Sequence, residues 1–391
     1  MLTLRGTNGP RCGPYLRDLS VIQDGAVLIR DGIIVEIGPT RRLENLAQAR
    51  EAVEVNAAGR VVMPGFVDCH THLVFPPAGM QDDDDRAARA VRSFTAQRLE
   101  FRARAYLEAM ARHGTTTVEV KTGCGPDENA ESKILRVLSS LRYNPLDLIP
   151  SFLFRLPASL NGDTGAAAEW MMAELLPKIR RRGTAQFADL AWDADPRLTP
   201  YFDRYLCSAR DLGFACKIHA DQQSPANAID MALRHQVLSI DHLEHADASL
   251  AAALAKAGII ATLLPCASPG IGSTPPARAL IEAGVPIALG TNFNPHHTPT
   301  LNMQAVVAMS CWRFGLTTEE AITAATFNSA CALGAGGRVG SLEPGKSADL
   351  VLLNANDYRD LAGNLGSNLV HLTMKRGKFI YKEGVVAPQG L

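Results

Sequence analysis

An excess of charge of either sign is missing from this chain of 391 residues, in which 39 Lys and Arg stand against 40 Asp and Glu. Without a basic excess there is no electrostatic footprint for nucleic acid or for an anionic membrane surface. A long hydrophobic run is missing as well. The longest apolar stretch, residues 250–267, is broken by Lys256 and Pro265 and is too short to span a bilayer. The opening residues MLTLRGTNGPRCG hold no basic segment followed by an apolar one, so no signal peptide is expected. Eight cysteines are present, yet none pair as CxxC, which removes the usual redox and zinc-ribbon spacings. Reduced thiols in a soluble, cytoplasmic protein fit that pattern better than a disulfide framework.

What the chain does have is alternation. Between residues 61 and 335, short β-branched runs alternate with longer helical ones. The strand candidates are VVMPGFV (61–67), TTTVEVK (115–121), DLIPSFLF (147–154) and TAQFADLAW (184–192). GFACKIH (213–219), QVLSIDH (236–242), GIIATLL (258–264) and VPIALGT (285–291) complete the set. Helices are predicted near 86–112, 127–142, 165–182, 199–211, 224–234, 247–257, 276–283 and 318–333. A capping box of Thr317 and Glu320 opens the last of them. Eight strands, each followed by a helix, make the count of an α/β fold of the TIM-barrel type, (β/α)8.

The two ends read differently. GAVLIRDGIIVEIG (25–38) is a strand pair turned by Asp31-Gly32, and 340–354 and 371–384 also read as strands and turns. Neither end has apolar residues enough for its own core. They are expected to pack as one composite β domain, from 1–63 and 339–391, beside a barrel over 64–338. The acidic run Asp82–Asp85 reads as a solvated loop, and Arg180–Arg182 as the dipole-favoured end of a helix.

The histidines carry the chemical signal. His70 and His72 end the first strand, and a strand's two-residue repeat sends both imidazoles to one face. A lone HxH is common, but His219 ends the fifth strand and His242 the sixth. In a TIM barrel those ends gather on one rim. Three imidazoles suit zinc or ferrous iron, with an anionic ligand and a position left for water. His113, His235 and His371 fall on helix ends or the peripheral strands and read as structural; His245, beyond the sixth strand, has no assigned role.

MPGFVDCHTH, HGTTTVEVKTGCG, KIHADQ, SIDHLEHAD, ALGTNFNP and GSLEPGKSADLVL together resemble the amidohydrolase superfamily, in particular its imidazolonepropionases. Those enzymes open a cyclic amide. The resemblance spans nearly the whole chain and implies a (β/α)8 barrel with a small β-sandwich built from both termini. It also implies one Zn2+ or Fe ion held at His70, His72, His219 and a strand-eight carboxylate, with a small molecule as substrate. Superfamily members are often homodimers, which the resemblance extends to this chain.

The carboxylate has changed. Where the family pattern reads TDFNP, this chain has Thr291-Asn292-Phe293-Asn294-Pro295, facing the histidine pair across the barrel. An amide oxygen at Asn292 can meet an ion, but a neutral amide is no general base. The family's HADE becomes His219-Ala220-Asp221-Gln222, so the glutamate that handles the substrate ring is also an amide. Substrate-holding positions differ too: Gly79, Cys124 and Leu156 stand where the family has arginine, tyrosine and histidine. His296 and His297 follow the retained Asn294, and either Arg86 or Arg155 could replace the lost cation.

The expected site is therefore His70, His72, His219 and Asn292 for metal, and His242, Gln222 and Asn292 for catalysis. Asn294, His296, His297 and Cys124 are expected against the substrate. Function narrows to metal-assisted hydrolysis of a cyclic amide with altered specificity. The alternative is a non-catalytic descendant, its metal weakened or lost, that binds a small ligand or a protein.

Overall fold

The computed structural model describes residues 1–75, 84–123, 127–155, 164–192, 199–220, 228–267, 274–295 and 298–384, with backbone alone at 84–88 and 164. In chain order the strands begin with β1 (Gly25–Arg30), β2 (Ile33–Pro39), β3 (Val62–Pro64), β4 (Phe66–Asp68) and β5 (Thr115–Lys121). Next come β6 (Asp147–Phe154), β7 (Phe187–Ala191), β8 (Ala215–Ala220), β9 (Ser239–His242), β10 (Ile260–Leu263) and β11 (Ile287–Leu289). The last are β12 (Leu350–Leu353), β13 (Val370–Lys375) and β14 (Lys378–Lys382).

Strands β4 to β11 form one eight-stranded sheet in sequence order, and every pairing is parallel. Beyond β4 and β11 the sheet closes on itself. Thr71 pairs in parallel with Phe293, Asn292 N–H donates to His70 O at 3.0 Å, and His72 N–H donates to Phe293 O at 2.7 Å. The two ends of the sheet thus meet at the histidines. Asn292 lies on the strand neighbouring the pair, and not across the barrel as expected, because the eighth strand of a closed barrel borders the first. Gly290 makes that approach possible: a Cβ there would lie 2.9 Å from His70 Cβ.

The run 61–67 is not one strand. It divides at Gly65 into β3, which pairs antiparallel with β12, and β4, which enters the barrel. A Cβ on Gly65 would meet Thr116 Cγ2 at 2.3 Å, so only glycine fits where the chain passes between the two sheets. The stretch 86–112 also divides, into helices Asp84–Ser93 and Ala96–Arg112, because Thr95 caps the second by accepting from Arg98 N–H at 3.2 Å.

A helix at Met303–Phe314 was not expected. It runs from an Asn302 cap to Gly315 at φ 66°. Apolar residues stand on its exposed side too, with Ala305 and Met309 half-buried and Trp312 64% exposed, so the one-sided apolar stripe that reveals a surface helix is absent from the sequence. The Thr317–Glu320 capping box forms as the sequence implies.

Both termini build the antiparallel layer. Its four-stranded sheet runs β14-β13-β12-β3, with β1 and β2 as a separate hairpin. The hairpin turns through Asp31 (φ 52°) and Gly32 (φ 80°). Ile34 and Ile37 from one end pack with Leu350, Leu352, Leu372 and Met374 from the other. Asp147, at the start of β6, anchors the barrel base to this layer through Lys375 Nζ at 2.9 Å and through Arg338 and Arg376. Burial alone would push the Asp147 carboxyl up, but these cations hold it below the usual range.

Candidate metal centre

Two backbone devices bring the histidines together. Along β4 and its extension the two-residue repeat aligns Asp68, His70 and His72, as along β8 it aligns Lys217 with His219. His242 ends β9 one residue after Asp241, so strict alternation would turn the two apart. Its φ of 81°, followed by 69° at Leu243, breaks that alternation. Asn292 is also left-handed, at φ 55°. Non-glycine residues hold such angles only where surrounding structure enforces them, and all three cluster at the closure of the barrel mouth or beside it.

The rings are close. His70 lies 4.4 Å from His219, 5.2 Å from His72 and 5.3 Å from His242, measured between centroids. His70, His219 and His242 each offer a nitrogen within 4.8 Å of the others'. His70 Nε2, His72 Nδ1 and His219 Nε2 are buried without a hydrogen-bond partner. An orphaned buried imidazole nitrogen costs free energy unless a ligand completes it, and a lone pair on each of several such nitrogens fits a divalent cation. Burial, Lys121 and neighbouring His219 push His70 well below the usual imidazole range. Burial, His219, Lys121 and Arg155 do the same to His72, and burial lowers His219 against the pull of Asp189. The neutral form that these shifts favour is the form that binds metal.

Below the imidazoles the barrel is filled by charge. Lys121 Nζ lies 2.6 Å from Asp189 Oδ2, 3.0 Å from Asp241 Oδ2 and 3.3 Å from Glu119 Oε2. Lys217 Nζ lies 2.7 Å from the same Glu119 oxygen, and Ser151 Oγ donates to the other. All five ionic side chains are fully buried. Asp68 completes the layer by accepting from Thr291 N–H at 3.0 Å and Thr291 Oγ1 at 2.6 Å. Burial dominates there and pushes its carboxyl up to about 7.

Residues 77–381 match the model of the Amidohydrolase family. The chain belongs to the amidohydrolase family. An imidazolonepropionase of Symbiobacterium thermophilum is 35% identical over 411 residues, covering 99% of this chain and 96% of that protein. One from Alkaliphilus metalliredigens is 33% identical, covering 99% and 97%. Among solved structures, guanine deaminase of E. coli superposes with a TM-score of 0.73 at 18% identity over 98% of each chain. An adenosine deaminase of Xanthomonas campestris with bound zinc gives 0.69 at 19% identity, covering 94% of this chain and 91% of that one. At those identities the structures share the fold. No helix among the described residues of this amidohydrolase-family chain is long and apolar enough to cross a membrane.

Of the residues singled out in the sequence, His70, His72, His219 and His242 converge. Asn292 is buried beside them, its amide nitrogen 3.5 Å from Thr298 Oγ1, and Asn294 is buried in the same loop with its N–H donating to Thr298 O at 3.0 Å. Gln222, Cys124, His296 and His297 lie outside the described residues, as do Asp221, Leu156, Gly79 and the Arg86 side chain. Arg155 is half-buried after β6, and its charge reaches His72. His245 is half-buried.

Reading the sequence missed Glu244, whose Oε1 lies 3.3 Å from His242 Nδ1 while its Oε2 is buried without a hydrogen-bond partner. It also missed the ionic layer, although Glu119 and Lys121 in VEVK and Lys217 in CKIH sit at alternate strand positions, the available signal. Two neighbouring features do not belong to the centre. A cavity of about 450 Å3 lined by Cys266, Thr298, Met309 and Arg313, among others, includes none of the four histidines. Asp203, Cys207 and His235 also cluster, but Asp203 is half exposed and already held by His235 at 2.9 Å and Arg234 at 3.3 Å.

Proposed function

We propose that this amidohydrolase-family chain hydrolyses a C–N bond in a small cyclic amide, with zinc or iron held by His70, His72 and His219. The observation that carries this reading is the set of buried, unpartnered nitrogens of His70, His72 and His219, whose ring centroids lie 4.4, 5.2 and 5.7 Å apart on converging strand ends. When bound, such an ion supplies Lewis-acid polarisation to a carbonyl and to water. Asn292 contributes at most a neutral oxygen and cannot take a proton at neutral pH. His242 is the replacement base: with Nδ1 toward Glu244, its other nitrogen is free to accept a proton from water. Glu244 orients the ring and stabilises the imidazolium that forms. Gln222 holds the substrate amide by hydrogen bonds, and Asn294, His296, His297 and Cys124 complete the contacts to it. Arg155, whose charge reaches His72, favours a substrate with an anionic group.

The test is metal content of the purified protein, followed by hydrolysis of imidazolone propanoate and related cyclic amides. One equivalent of zinc or iron and turnover lost in His242→Ala are the expected results. No metal after growth with added zinc would overturn the reading. Asn292 favours a second reading, a non-catalytic binder of a small ligand or a protein. That reading predicts ligand-induced thermal stabilisation without turnover, both in the wild type and after Asn292→Asp.

A further inference from the structure

We propose that Asp189 and Asp241, bridged by the Lys121 ammonium, are the positioning residues of this centre and supply it with the negative charge that Asn292 withholds. The inference rests on the metal-site reading above. Asp241 Oδ2 lies 2.8 Å from His70 Nδ1, and Asp189 Oδ2 lies 3.1 Å from His219 Nδ1. Lys121 Nζ is 3.0 Å and 2.6 Å from those same two oxygens. One ammonium therefore sets the spacing of two carboxylates, and each carboxylate faces one histidine.

The tautomers follow. A proton on Nδ1 directed at a carboxylate leaves Nε2 with its lone pair, and Nε2 of both His70 and His219 is buried and unpartnered. Ser239 Oγ donates to the remaining Asp241 oxygen at 3.0 Å, and Leu190 N–H donates to that of Asp189 at 2.9 Å. Both carboxylates are thus held from two sides. Counting the carboxylates that touch a lysine, Glu119, Asp189 and Asp241 bring three negative charges against two positive ones on Lys121 and Lys217, one negative charge in excess. A single aspartate at position 292 would have placed that same charge directly on the ion. Here it lies one imidazole further away, in a dry layer where solvent screening is weak.

The experiment is zinc affinity by competition with a chromophoric chelator, measured on the full chain alongside the melting temperature of the metal-free form. Asp241→Asn and Asp189→Asn keep shape and a hydrogen-bond acceptor while losing charge. Each is expected to weaken zinc by about 10–100-fold. Adding Asn292→Asp to Asp241→Asn should restore affinity. Ser239→Ala, which leaves every charge in place, should weaken zinc several-fold with little effect on the metal-free melting temperature. It carries the test if the asparagine variants fail to fold. Cobalt-loaded variants should also show an altered visible spectrum, which a purely structural role would not produce. Wild-type affinity in these variants would overturn the assignment alone. A wild-type chain that takes up no zinc would overturn it together with the metal-site reading.

Discussion

Two ionic clusters occupy opposite ends of the same barrel, and they are built on opposite principles. At the base, Asp147 meets Lys375, Arg338 and Arg376, with Asp349 2.5 Å from Lys375 Nζ. Cations are in excess there, and both arginines are nearly half exposed. Near the mouth, three carboxylates enclose two lysines in complete burial. The base joins two layers of the fold, where partial hydration spares the desolvation cost. The mouth keeps an anionic excess under four imidazoles, an arrangement that favours a cation and contributes little to stability by itself.

The sharpest break of that comparison is Lys121→Met. Removing the ammonium leaves Asp189 and Asp241 facing one another with no cation between them, and a loss of about 3–5 kcal/mol is expected in urea unfolding. Asp147→Asn should cost less, roughly 1–3 kcal/mol, because its arginines can turn to water. It should also change the pH profile of stability. The folded Asp147 titrates below its usual 3.8, so its contribution is complete above that value and is lost as pH falls from there through the lower folded-state value. Melting temperatures should therefore fall less steeply in the variant than in the wild type as pH drops below about 4. Smallest of all is Arg338→Ala, about 1 kcal/mol or less by the same unfolding assay, since Lys375 and Arg376 remain on Asp147. Equal losses at Lys121 and Arg338 would erase the distinction between the two ends.

Much of the barrel was legible in the chain. TTTVEVK and DLIPSFLF became β5 and β6 residue for residue, because buried parallel strands are continuous β-branched and apolar runs with clear ends. The helix at Met303–Phe314 was not legible, since apolar Ala305, Met309 and Trp312 occupy its less buried side and leave no stripe. The break at Gly65 escaped notice because both halves are equally apolar, and only the second sheet distinguishes them. In the centre, the four histidines could be read from strand ends alone. Glu244 could not, since it follows a backbone turn that no residue type announces.

By itself the sequence determined the alternation of strand and helix, the family, and the presence of amide side chains at 292 and 222. Those are local facts, fixed by residue identity and spacing. The tertiary structure alone decided that Asn292 borders the histidines, that Glu244 stands behind His242, and that Asp189 and Asp241 meet at Lys121. Those contacts join residues far apart in the chain, and only barrel closure brings their strands side by side.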